Sequence, residues 1–218
     1  MARRGLARQG KAWLGEARQD KVFLLLTRQG RLKTATATII GVSPYSQSRA
    51  IQSIRNTGES PDAFEQRTWK ERLHVNEDGF VFIPPMAIKN MLSDCARFLS
   101  ESVPGKGKAT YTKHFEAGIM VLTPAVMNIK ADDVCGETLF VPSDGKKGGS
   151  KRVFKTFPYM PKWSANIEIL LIDPILEDKP GKVKEYLEHS GKFIGLGRFR
   201  PRNGGFYGRF EVKNFECK

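Results

Sequence analysis

The chain reads as an α+β domain, a ferredoxin-like antiparallel sheet with helices on one face and a protruding β-hairpin. Three observations in its 218 residues lead there. Coarse patterning runs strand, helix, strands, helix, strand, with long loops between the regular elements. Thr34, Thr36 and Thr38 alternate with Ala35, Ala37 and Ile39, the period of a strand buried on one side. Ile88, Met91, Leu92, Cys95, Phe98 and Leu99 recur at helical spacing, a stripe that reads as core.

Taken in order, residues 1–20 carry Arg3, Arg4, Arg8, Lys11 and Arg18 with only Leu6, Trp13 and Leu14 as apolar anchors. They read as a basic arm or a short amphipathic helix, with an unstructured tail as the alternative. Val22–Leu26 and Lys33–Ile40 read as strands, the second ended by Gly41. Ser43–Arg49 is a hydroxyl-rich loop at that strand's exit, suited either to phosphate or to water. Ser60 before Pro61 caps a helix through Leu73, in which Trp69, Lys70 and Arg72 read as packing and solvation. Asn76–Gly79 is a turn and Phe80–Ile83 a short strand. Pro84-Pro85 opens the striped helix, placing Lys89 near its positive end. Ala117–Leu122 and Glu137–Val141 read as strands. Ser143–Arg152 is glycine-rich and basic, with Lys146, Lys147, Lys151 and Arg152. It reads as the tip of a hairpin returning along Val153–Phe157. Ala165–Ile172 is a further strand. Val183, Tyr186 and Leu187 mark a short helix stopped at Gly191, and Tyr207–Phe215 is the last strand. On this plan the loops gather basic residues along the face opposite the helices or along one edge.

The charge is one-sided: 36 Lys and Arg against 23 Asp and Glu, a formal net charge of +13. That favours a nucleic acid or an anionic surface as partner and says little about fold. A membrane is the weaker choice, because the longest apolar run, Val22–Leu26, is far too short to span a bilayer. No secretory signal pattern is read. Cys95, Cys135 and Cys217 are far apart and lack CxxC spacing, so they read as reduced thiols of a cytoplasmic protein.

The densest chemistry is in Gly195–Phe210. It holds Gly195, Gly197, Gly204, Gly205 and Gly208, the arginines 198, 200, 202 and 209, the aromatics Phe199, Phe206, Tyr207 and Phe210, and no acid. Glycines admit positive φ and close approach of a ligand to main-chain N–H groups. Arginines supply charged forks for phosphate, and aromatics supply stacking surfaces. The combination points to a polyanion, most simply nucleic acid. A tight turn with solvated arginines is the plain alternative. Recognisable enzyme chemistry is not found: there is no Walker A, HExxH or GxSxG sequence and no metal-spaced Cys/His set. His74, His114 and His189 are separated singles, and Asp132-Asp133 reads as a solvated pair. No cofactor and no metal are expected.

Gly195-Leu-Gly197, a basic stretch and Gly204-Gly205-Phe-Tyr-Gly208 before a strand resemble the glycine-rich loop of the RAMP superfamily, the RNA-binding CRISPR proteins. Gly79-Phe-Val-Phe-Ile-Pro-Pro-Met-Ala-Ile-Lys89 is similar to that superfamily's strand, Ile-Pro, lysine and helix stretch, with Pro84-Pro85 where Pro-Gly is usual. The resemblance covers most of residues 33–213 and is nearest to the backbone subunits that line up along guide RNA. It implies one RRM-like domain over residues 21–218, with residues 142–158 as an inserted hairpin; residues 1–20 have no counterpart. It implies a non-catalytic protein binding single-stranded RNA, as a homo-oligomer or a subunit of a ribonucleoprotein, in a prokaryotic or phage-infected cytoplasm. Loop amides and Arg198, Arg200, Arg202 and Arg209 would hold phosphates, and Phe206 or Tyr207 would stack a base. Arg49, Lys89 and the 146–152 loop would extend the track. The alternatives are a guide-RNA-processing endoribonuclease with a histidine base, a phage single-stranded-DNA-binding or annealing protein, and a mimic of a backbone subunit that blocks assembly. Against the endoribonuclease stands the absence of a histidine within Ser43–Arg49 or beside the glycine-rich loop.

Overall fold

A computed structural model of the chain describes residues 32–143 and 151–218. The basic arm at 1–20, the strand expected at Val22–Leu26, and Lys146 and Lys147 lie outside the described residues.

β1 (Thr34–Gly41) is an inner strand of the main sheet, antiparallel to β7 (Ser164–Leu171) on one side and to β8 (Phe210–Cys217) on the other. β4 (Ala125–Lys130) joins β7, and β2 (Phe80–Ile83) forms the far edge, giving the order β2-β4-β7-β1-β8. The two-residue β3 (Ile119–Met120) pairs with the end of β7. The helix α2 (Pro85–Leu99) lies in the chain between β1 and β4, and α5 (Pro180–His189) lies between β7 and β8. This is the ferredoxin-like α+β arrangement, with β2 added at one edge.

The threonine–alanine alternation of β1 sets the two faces. Ala35, Ala37 and Ile39 are buried, and their register partners Ile169, Ile167 and Ala165 on β7 are buried with them. They join one apolar core with Ile88, Met91, Leu92 and Cys95 of α2 and Val183, Tyr186 and Leu187 of α5. The helical stripe departs from expectation at its C-terminal end. Phe98 is 53% exposed and meets Phe193 at 5.6 Å, so it caps the surface instead of filling the core.

The opposite face is open and polar. Thr36, Thr38, Asn166, Glu168, Asn214 and Glu216 line a shallow depression of about 490 Å³. This corrects one half of the expectation for the basic loops. The face opposite the helices carries carboxylates, and the basic residues lie along an edge.

The helix expected from Ser60 through Leu73 is present as α1 (Pro61–Thr68), giving way to a 3₁₀ turn at Trp69–Arg72, whereas α3 (Thr112–Ala117), which precedes β3, escapes the sequence reading, as do β4 and α4 (Pro174–Asp178). The Ser60 cap is as expected, its side chain accepting from Ala63 N. Gly191 does not stop α5. The chain continues through a π-turn at Ser190–Ile194 and ends at Gly195, whose φ is +71°. Gly191 is instead buried against the Phe210 backbone, where a Cβ would collide with the carbonyl oxygen.

Among the described residues β5 (Cys135–Pro142) and β6 (Arg152–Tyr159) pair only with each other. The hairpin therefore begins at Cys135, earlier than the 142–158 expected. Two side chains replace a third strand along β6. Glu65 of α1 accepts from Thr156 N at 2.9 Å, and Arg72 Nε donates to Thr156 O at 3.1 Å. Arg72 Nη2 closes the ring onto both Glu65 oxygens at 2.7 and 2.9 Å. Both side chains are largely buried, so removing one strands the other's charge. Breaking such a pair typically costs about 3–5 kcal/mol. Glu65→Ala should accordingly lower unfolding stability by about 3 kcal/mol in urea titration and increase protease cutting within the hairpin. A loss below about 1 kcal/mol, the surface range, would show that the clamp does not anchor the hairpin.

Candidate nucleic-acid interface

The glycine-rich segment is a rigid, doubled-back loop. Leu196 N donates to Gly208 O at 3.0 Å and Tyr207 N to Phe199 O at 3.0 Å, pairing its two limbs. Arg198 N donates to Ser46 O at 2.9 Å and Gly208 N to Pro44 O at 2.7 Å, fastening it to the loop after β1. Ser43 completes the seam: its hydroxyl donates to Phe206 O and accepts from Arg209 N.

Two glycines show what the composition is for. Gly208 has φ +70° and a Cβ there would overlap Leu196 O; Gly197 has φ +74° and a Cβ would overlap Ser46 O. Both positions need glycine so that protein backbone can approach protein backbone. Gly205 likewise lies against the Phe199 carbonyl, Gly195 against Pro201, and Gly204 turns the chain at φ +79° after the 3₁₀ turn Pro201–Asn203. The amides of Leu196, Arg198, Gly204, Gly205, Tyr207, Gly208 and Arg209 donate within the protein. The phosphate cradle expected of loop amides is thereby corrected at these positions, because their donors are already satisfied. At these positions any contact falls to side chains.

Those side chains divide sharply. Phe206 is 59% exposed and Phe199 is also well exposed, the latter held outward at φ +53°, a left-handed conformation disfavoured for a residue with a Cβ. Arg202 is exposed at the loop tip and Arg209 is exposed with Nη1 donating to Lys192 O at 2.6 Å. Arg200 turns the other way and pairs with Asp94 of α2 at 3.2 Å, so it tethers the loop. Tyr207 is buried, its hydroxyl 3.0 Å from both oxygens of Glu137 on β5, so it latches loop to hairpin and does not present a ring for stacking.

Arg198 sits at the junction with its guanidinium carbon 3.1 Å from the centre of the Phe157 ring and 3.7 Å from that of Phe199. Arg72 lies over Phe157 at 4.8 Å. Burial, reinforced by the Arg72 charge, lowers the Arg198 guanidinium to about 10. Arg49 N donates to Arg72 O at 3.0 Å, and Lys155 lines the same recess as Arg72 and Arg198. The fold thus gathers Arg49, Arg72, Arg198 and Lys155 along one edge, continued by exposed Lys151 and Arg152 at the hairpin end. Lys89 stands apart, half-buried in the first turns of α2. Arg72, read in sequence as packing and solvation, joins this edge instead, and Lys155 and Phe157 join it although nothing in sequence distinguishes them from ordinary strand residues. A second exposed cluster on the hairpin pairs Phe140 with Phe154 at 5.0 Å, with Arg152 over Phe140 at 6.0 Å.

The histidines are not the isolated singles that their spacing suggests. His114 Nδ1 lies 2.8 Å from Asp173, which caps α4 through Ile175 N. His74 N donates to Gln47 Oε1 at 2.7 Å, which places His74 beside the Ser43–Arg49 loop. Burial, with the Arg49 charge second, holds the His74 imidazole below its usual range. Chain order had placed no histidine there; the tertiary structure does. Among the described residues no three His, Cys, Asp or Glu side chains form a metal-sized group, and no helix is long and apolar enough to cross a membrane.

The molecule is thus an α+β protein of ferredoxin-like fold, with a basic and aromatic edge between a glycine-rich loop and a hairpin. No protein-family model and no curated protein matches the chain. Solved structures do. A chain in the cryo-EM structure of the Type III-B Cmr-beta bound to cognate target RNA has TM-score 0.51 at 12% identity, covering 98% of this chain and 69% of that one. The crystal structure of Cmr6 from Pyrococcus furiosus has TM-score 0.46 at 14% identity, covering 83% of this chain and 98% of that one. The first likeness shows a shared fold; the second is too distant to add to it.

Burial, with the Glu137 hydrogen bond second, pushes the Tyr207 phenol from 10.0 up to about 12. A raised folded value means that this contribution is intact below the unfolded value and is lost as pH climbs through the folded one. Tyr207→Phe should cost about 2 kcal/mol near neutral pH, the value of a hydrogen bond to a charged acceptor. The gap to wild type should narrow between pH 10 and about 12, followed by urea denaturation across that window. A pH-independent gap would assign the loss to packing.

Proposed function

We propose that the protein binds single-stranded RNA without cutting it, as a subunit that lines up along a guide strand in the manner of CRISPR effector backbone subunits. The observation that carries this reading is the edge where exposed Phe199 and Phe206 stand beside Arg198, Arg202, Arg209 and Lys155, on a chain of net charge +13. Rings offer stacking to any base, and arginines offer phosphate contacts that set register without choosing sequence. The fold shared with a chain of an RNA-bound Cmr-beta assembly supports RNA over DNA. The strand's path differs from that of an RRM, whose sheet aromatics stack bases. Here the open face of β1 and β7 presents Thr36, Thr38, Asn166 and Glu168, which offer no stacking and repel phosphate. RNA runs instead across the loop and the hairpin.

Binding should weaken with salt along a log–log line of slope about −0.7 per phosphate neutralised. Arg202→Ala should reduce the slope magnitude by about that amount, and Phe206→Ala should cost about 1–3 kcal/mol with the slope unchanged. Salt-independent binding, or none at low salt to either RNA or DNA, would remove the reading.

One observation favours a second reading. His74, held neutral near the exposed Arg49, has the makings of a general base beside a cation, as a guide-RNA-processing endoribonuclease requires. A denaturing gel of structured and unstructured RNA, with and without divalent metal, separates the two. Intact RNA is expected. Specific cleavage that disappears in His74→Ala would replace the binding protein by the enzyme.

A further inference from the structure

The hairpin and the glycine-rich loop enclose an open recess of about 300 Å³ between them. Its polar lining is Arg72, Lys155 and Arg198, its apolar walls are Val141, Phe157 and Phe199, and no carboxylate among the described residues lines it. The neighbouring acids are engaged elsewhere: Glu65 is bound to Arg72 and Glu137 to the Tyr207 hydroxyl. Arg198 differs from the other two cations. Arg72 donates to Glu65 and to Thr156 O, and Lys155 Nζ donates to Ser143 O at 3.1 Å. Arg198 Nη1 is out of solvent and has no hydrogen-bond acceptor among the described residues. A buried donor without an acceptor is destabilising, and a second guanidinium at the same Phe157 ring makes it more so. The two rings fix the plane of the Arg198 fork, so its orientation is set before any ligand arrives.

We propose that this recess is a subsite for one phosphate group, held by the Arg198 fork with Lys155 as a second, point-like cation. A guanidinium offers two parallel N–H donors that match two phosphate oxygens, and Lys155 keeps further donors beyond the one given to Ser143. In the free protein the rings hold the guanidinium in place while its Nη1 donor goes unused, which leaves the fork available to a ligand. The subsite deepens the RNA-binding reading, on which its natural source of phosphate rests: here a strand phosphate would sit in a recess, while Arg202 and Arg209 offer exposed contacts. A free phosphate or mononucleotide offers the same chemistry, and the test separates the two sources.

The test is thermal unfolding of the full chain in sodium chloride and in inorganic phosphate at equal ionic strength, for wild type, Arg198→Met and Lys155→Met. Methionine keeps a flexible apolar side chain between the rings and removes the fork. In chloride Arg198→Met should melt close to wild type, because the lost cation–ring contacts are offset by removal of a buried donor that has no acceptor. Phosphate should raise the wild-type midpoint, leave that of Arg198→Met unmoved and raise that of Lys155→Met less. Equal rises in wild type and Arg198→Met, or no rise in wild type, would overturn the subsite. Should Arg198→Met melt well below wild type, its charge is structural, and the proposal fails unless Lys155→Met, in the fold of wild type, loses the phosphate response. RNA binding then identifies the source. A drop of about tenfold or more in Arg198→Met, with a salt slope smaller by about 0.7, makes it a strand phosphate. A phosphate response lost in Arg198→Met with RNA affinity unchanged makes it a free phosphate and leaves strand binding standing. The same loss in a protein that binds no RNA keeps the subsite and ends the RNA reading.

Discussion

Thr156 is held from both sides, by β5 through the hairpin ladder and by Glu65 and Arg72 through its outward N–H and C=O. A two-stranded hairpin has little independent stability in water and leaves a row of backbone groups unpaired on each edge. One carboxylate and one guanidinium satisfy that edge at a single residue. The placement of Phe157 follows, since it is the next residue along. From it follows the Arg72–Phe157–Arg198 stack that joins helix, hairpin and glycine-rich loop. The interface exists because α1 and its 3₁₀ turn are bolted to β6.

The glycine-rich loop illustrates how one composition serves two masters. Its glycines bring protein backbone against protein backbone, against Pro44, Ser46, Leu196 and Phe199, and the amides of Leu196, Arg198, Gly204, Gly205, Tyr207 and Gly208 are consumed within the protein. The rigid frame that results holds Phe199 in a left-handed conformation and drives its ring outward beside Arg198. Strain of this kind persists only where the surroundings over-determine it. Rigidity in the backbone leaves contact to side chains, and side-chain contact is tolerant of base identity.

The electrostatics are divided between faces. The open sheet surface, lined by Glu168 and Glu216 among threonines and asparagines, is unsuited to a phosphate chain, while the loop and hairpin edge collects arginine and lysine with aromatic surface. A chain of net charge +13 thereby acquires a direction. His74 shows the converse risk of reading sites in chain order, because it reaches the Ser43–Arg49 loop through Gln47 although 27 residues separate the two.

Local periodicity and end signals determined the framework: the β1 alternation, the Ser60-Pro61 cap, the α2 stripe up to Cys95, and the β6 and β7 strands are all legible because each is fixed by contacts of its own side chains with one buried layer. Short elements such as β4 and α3, and the exposure of Phe98, are decided by what packs over them, which no local pattern encodes. The candidate site divides in the same way. Its densest segment, Gly195–Phe210, stood out by composition alone. Which of its arginines face outward did not, because Arg200 is claimed by Asp94 and Arg198 by two rings, one of them 41 residues away in sequence. Arg72, Lys155 and Phe157 became part of the site only when the tertiary structure laid the hairpin against the loop, since a side chain's role there depends on partners that lie far from it along the chain.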